Sequence, residues 1–110
     1  MTDIIELPDN FIGIEDKHRL ESFGAHTISH GRATRWHWDK NAGGDDLFEI
    51  YCGGSHEVLA VRVHRDRKLD AFCAHDVNDT LVTSGTLEHI MAEMEEYFIR
   101  LHHEMPDTPA

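Results

Sequence analysis

The last third of the chain constrains the fold most. From Leu87 onward, Leu87, Ile90, Met91, Met94, Tyr97, Phe98, Leu101 and Met105 recur at helical spacing. At ~100° per residue they share one stripe of roughly 120°. Glu88, His89, Glu93, Glu96, Arg100 and His103 lie opposite, and only Ile99 breaks the pattern. The spacing predicts an amphipathic helix over 84–105, with Thr83, Ser84 and Thr86 as candidate N-caps and Pro106 as its end. A stripe of this width has to be buried against a second layer.

The middle of the chain supplies that layer. Segments 32–38, 47–52, 57–64 and 68–75 are short, rich in β-branched or aromatic residues, and alternate. The links between them are too short for helical crossovers. Gly43-Gly44, Gly53-Gly54-Ser55 and Arg65-Asp66-Arg67 mark turns, so the strands should form an antiparallel meander. Period two places Thr34, Trp36, Trp38, Phe48, Ile50, Cys52, Leu59, Val61, Val63, Leu69, Ala71 and Cys73 on the core side. The reverse side then holds Arg35, His37, Glu49, Tyr51, Ala60, Arg62, His64, Asp70, Phe72 and Ala74.

Residues 1–31 are the least regular. Ile4, Ile5, Leu7, Phe11, Ile12, Ile14, Leu20 and Phe23 need burial, but Pro8, Gly13 and Gly24 interrupt any long element. A short helix over 15–23 and a fifth strand over 25–29, turning at His30-Gly31, are equally consistent with the pattern. The expected fold is therefore α+β in a single domain spanning 1–110. It comprises an irregular or short helix/strand segment 1–31, a four- or five-stranded antiparallel sheet over 32–75 and a helix over 84–105 packed on one face.

Charge narrows the partners. The net charge is -11, and the acidity lies at the two ends, since residues 32–75 carry as many bases as acids. Such a balance disfavours nucleic acid and anionic membranes, whose binding draws on Lys and Arg. It leaves a basic protein partner or a solubility role. The ten histidines are dispersed, and their protonation would cancel most of the net charge. Solubility is expected to fall between about pH 6 and pH 5, near the pI of 5.2. No signal-peptide pattern or membrane-length apolar run is present in the sequence, so the reading is cytoplasmic. Cys52 and Cys73 lack metal or redox spacing and are expected to be buried thiols.

The reverse sheet face is the candidate site, through Arg35, His37, Glu49, Tyr51, Arg62, His64, Asp70 and Phe72. Bases and acids alternate from strand to strand there, as cross-strand pairs on a solvated face do. Tyr51, Phe72, Ala60 and Ala74 nevertheless make the face more apolar than solvent requires. A metal is not expected. His26 and His30 are four apart, but Thr27, Ile28 and the flanking glycines argue against a helix between them. Asp76, Asn78 and Asp79 lack the glycine and glutamate of a calcium loop and read as turn chemistry.

No cofactor is expected either. The sequence points to a non-enzymatic binding module, homo-oligomeric and most simply a dimer, that uses this face for a small molecule or a protein partner. The alternative is a small enzyme with His37 or His64 as general acid or base beside Glu49 or Asp70.

Overall fold

The computed structural model describes residues 12–66 and 68–104. The elements run α1 (Ile14–Ser29), β1 (Arg35–Lys40), β2 (Asp46–Cys52), a short 3-10 turn at Gly54–His56, β3 (Val58–Asp66), β4 (Ala71–His75), β5 (Leu81–Gly85) and α2 (Leu87–Glu104). The strands form one antiparallel sheet in the order β1-β2-β3-β4-β5. The α+β meander with its C-terminal helix is thus observed, with five strands rather than four.

Of the two readings open for the N-terminal segment, the helix is observed and the strand over 25–29 is not. Residues 25–29 belong to α1, a helix of 16 residues. Gly24 does not break this helix. It is buried, and a Cβ there would lie 2.7 Å from Trp36 Cδ1 and 3.1 Å from Phe48 Cζ, so its bare backbone lets α1 settle onto the sheet. Gly31, at φ 72°, closes the helix instead of turning a hairpin. Its N–H donates to Ile28 O and that of Arg32 to Thr27 O, the double bond of a Schellman cap. The fifth strand is Leu81–Gly85, so Thr83 and Ser84 are strand residues and not caps. Thr86 is the N-cap of α2, accepting the His89 N–H at 3.1 Å on its hydroxyl.

Both helices cover the same side of the sheet. Leu20 from α1, Leu87, Ile90, Met94 and Phe98 from α2, and Phe48, Ile50, Val61, Val63, Phe72 and Ala74 from the strands form one core. Each large aliphatic or aromatic side chain fully buried in it stabilises by ~1.5–3 kcal/mol relative to exposure. The helices run parallel. Arg19 pairs with Glu88 at 2.7 Å, His26 with Glu95 at 3.6 Å, and Phe23 packs on Phe98. Met105, Pro106 and the apolar residues from Ile4 to Phe11 lie outside the described residues.

Two face assignments are corrected. A bulge in the β2–β3 pairing lets Tyr51 face Leu59 while Ile50 faces Val61, so Leu59 swings to the uncovered side and Ala60 into the core. In β4 the phase is inverted. Asp66 pairs with Ala71 and Arg65 with Phe72, so Phe72 and Ala74 face the helices, and Ala71 and Cys73 face away. Leu69 lies in the β3–β4 turn and is 69% exposed.

Candidate functional site

The uncovered side of the sheet is organised around Glu49. This residue is only 2% exposed, although no described element lies over that face. Its register explains why: β1 places His37 on one side of it and β3 places Arg62 on the other. Glu49 Oε2 accepts from Arg62 Nε at 2.7 Å and Nη2 at 2.6 Å. Oε1 lies 2.7 Å from His37 Nε2 and accepts the Tyr51 hydroxyl at 3.1 Å. A buried carboxylate is tolerable only when its lone pairs are met in this way.

Arg35 extends the cluster. Its Nε donates to Glu57 Oε1 at 2.7 Å, and its guanidinium lies 4.1 Å from the Tyr51 ring centre. Its Nη1 lies 2.6 Å from His37 Nδ1. A guanidinium has no acceptor, so Nδ1 must accept and Nε2 must carry the proton given to Glu49. Both ring nitrogens of His37 are therefore engaged. The Tyr51 hydroxyl is held above its ordinary pKa, first by burial and then by the Glu49 charge and hydrogen bond.

His37, Asp39 and Glu49 place their potential ligand atoms within 4.8 Å of one another. The donor set does not fit a cation. A metal-binding imidazole donates its second N–H to an acceptor, whereas Nδ1 here faces Arg35 and Glu49 already neutralises Arg62. Residues 26–29 are helical, with His30 the C-cap of α1; the two rings lie 4.2 Å apart, and His26 turns to Glu95.

His64 stacks on His75, with centroids 5.2 Å apart and planes 5° from parallel. Burial, then the neighbouring His75, holds His64 below its ordinary pKa. Cys73, directly opposite His64, is raised by burial and by Asp66. Arg35, His37, Glu49, Tyr51, Arg62 and His64 thus share the outer face, as the alternation requires. Asp70 and Phe72 do not. Asp70 sits in the β3–β4 turn with Arg65 at 3.3 Å, and Phe72 is core. Leu59, Cys73, His75 and Leu81 take their places. Sequence reasoning missed these because the bulge and the β4 phase are invisible to a period-two count.

A cavity of about 390 Å³ lies elsewhere, lined by Lys17, Trp38, Asp39, Lys40 and Asp46. Asp46 is buried there and accepts Ile12 N–H at 3.1 Å and Lys40 Nζ at 2.8 Å, with Lys17 Nζ at 3.4 Å. Burial raises this carboxyl, but the hydrogen bonds from Lys40 and Ile12 and the Lys17 charge outweigh it and hold the pKa low. The loop leading to Asp46 is closed by Asn41 Oδ1, which accepts Gly43 and Asp45 N–H, so these amides are used in the turn. Asp76 Oδ1 likewise accepts Asn78 and Thr80 N–H, which is turn chemistry. Among the described residues no helix is long and apolar enough to cross a membrane. No protein family, curated protein or solved structure matches the chain.

Proposed function

We propose that the chain is a non-enzymatic binding module whose outer sheet face receives a macromolecular partner. The observation that carries this reading is Glu49, a carboxylate already desolvated and saturated by its own neighbours on a face that no described element covers. A charge prepared in this way can be covered by a partner at little further desolvation cost. Tyr51 and Leu59 add apolar contact area beside it, and the His64–His75 pair and Leu81 extend that area toward β5. Contact groups spread over all five strands suit a protein surface better than a small molecule, which favours a concave site.

An enzymatic reading has less support. His37 has both nitrogens engaged, and His64 lies against a second histidine while Asp70 pairs with Arg65.

The test is a photo-crosslinking amino acid placed at Leu59, with Glu96 on the exposed side of α2 as the control position. Discrete adducts from position 59 in expressing cells, absent from position 96, are the expected result. Equal labelling at both positions, or none at 59, would count against the outer face as a binding surface.

A further inference from the structure

Two strands of the outer face carry the same spaced triplet. On β1 it is Arg35, His37 and Asp39; on β3 it is Arg62, His64 and Asp66. Both strands pair antiparallel with β2, so they run in the same direction and their triplets point the same way. Alternate residues of a strand share a face, so each strand presents a base, an imidazole and an acid in order. The β3 triplet is shifted along the strands by one pair, since His37 and Arg62 both stand opposite Glu49.

We propose that this face pairs with the same face of a second copy of the chain, across a two-fold axis perpendicular to the strands. The proposal rests on the reading of the face as a binding surface and names its occupant. With the axis at the level of His37, β1 of one copy lies reversed over β1 of the other, so Arg35 of each meets Asp39 of its partner; Arg62, level with His37 across Glu49, lies on the axis with its charge already taken by Glu49. The β1 pattern is self-complementary about this axis, as an isologous contact must be.

The rest of the surface argues for the same face. α2 exposes Glu93 and Glu96 beside the paired Glu88 and Glu95, so an approach through the helix layer brings like charges together. On the outer face Glu49 and Glu57 already balance Arg62 and Arg35. Each arginine uses Nε and one terminal nitrogen for these contacts and for His37, and the fork has a further terminal nitrogen to direct at a partner carboxylate. Asp39 spends Oδ1 on its neighbour's Lys40 N–H, and Asp66 spends Oδ1 on Lys68 and Leu69 N–H. A carboxylate has capacity beyond such bonds. With strands about 4.8 Å apart, a five-stranded face is about 24 Å wide, which puts the contact at the small end of specific interfaces. Association is expected with a Kd on the order of 10 μM, not as an obligate dimer.

The experiment is sedimentation equilibrium from about 10 μM to about 1 mM on four samples: the full chain, Asp39→Arg, Arg35→Asp, and an equimolar mixture of the two variants. The full chain should approach twice its monomer mass. Each variant alone brings like charges together twice across the axis and should associate at least about tenfold more weakly. The mixture should regain a dimer, because the variant with bases at positions 35 and 39 then faces the variant with acids at both. Recovery on mixing also shows that both variants are folded.

A full chain that stays monomeric at the highest concentration overturns self-pairing, while adducts from position 59 to a different protein would leave the binding face standing. Dimers that persist unchanged in both single variants place the contact on another surface and overturn the proposal. So does association that appears only after residues 1–11 are removed, which would make the chain's own first segment the occupant.

Discussion

Two buried carboxylates on one strand are held for different purposes. Asp46 opens β2 and Glu49 sits three residues later, on the opposite face, and they are 3% and 2% exposed. Asp46 binds across layers. It takes the N–H of Ile12 just ahead of α1, Lys17 of α1 itself and Lys40 of β1, and so fastens the N-terminal helix to the sheet. Among the described residues Glu49 fastens no second layer. Its partners His37, Tyr51 and Arg62 all belong to the sheet. Burial alone would rank the two acids as equals, whereas their partners separate a carboxylate that holds the fold from one that shapes a surface.

Truncation tests this separation, and here the largest effect is expected. Asp46→Ala strands the amide of fully buried Ile12 without an acceptor and releases the α1 tether. The expected loss is about 3 kcal/mol in urea unfolding. Glu49→Ala removes more hydrogen bonds, but His37 and Arg62 have side chains 36% and 39% exposed and can turn to water. Its expected loss is about 1–2 kcal/mol, with crosslinking from position 59 reduced as well. A Glu49→Ala loss equal to that of Asp46→Ala would make Glu49 a folding device and remove the main support for a binding face.

The next effect contrasts the packed side of the sheet with the open side. Gly24→Ala puts a methyl group against the Trp36 ring at 2.7 Å, and the clash exceeds the gain in helix propensity. A net loss of about 1–2 kcal/mol is expected. Leu81→Ala on the outer face, at a side chain 53% exposed, should cost less than about 0.5 kcal/mol in the monomer. Thermal unfolding at low concentration reads both. A larger loss at Leu81 than at Gly24 would mean that the outer face is packed within the chain itself.

The same contrast governs what the sequence disclosed. The α2 stripe and the alternation of β1 and β2 were legible because apolar residues line one side of each and mainly polar residues the other. Arg35, His37, Glu49, Tyr51 and Arg62 could therefore be grouped from the pattern alone. β4 was not legible, because Ala71, Phe72, Cys73 and Ala74 are apolar on both sides, and its phase is set by the pairing of Asp66 with Ala71. β5 was hidden by its polar Thr83 and Ser84. The second half of α1 was hidden by Gly24, whose role is a close contact with Trp36 that local propensity does not encode.

The smallest effect separates the two faces by pH. His64, on the outer side, is held below its ordinary value of 6.5, first by burial and then by His75. The groups around it are Arg62 and Asp66 on its own strand, Cys73 and His75 on β4, and the more distant charges of Asp45 and Asp79; the three acids oppose the shift. A histidine whose folded pKa lies below its unfolded one binds protons more readily in the unfolded chain. Stability is therefore complete above pH 6.5 and falls as the pH drops through the interval between the two values.

Asp46 also has a lowered pKa, but its contribution is present above 3.8 and is lost only on further acidification through its folded value. Urea midpoints measured from pH 8 to pH 3 should thus fall in two stages. His64→Asn should flatten the upper stage and leave the lower one unchanged, and Asp46→Asn should do the reverse. If His64→Asn left the upper stage intact, the proton uptake would belong to another of the ten histidines, and the stacked pair would carry no strain against protonation.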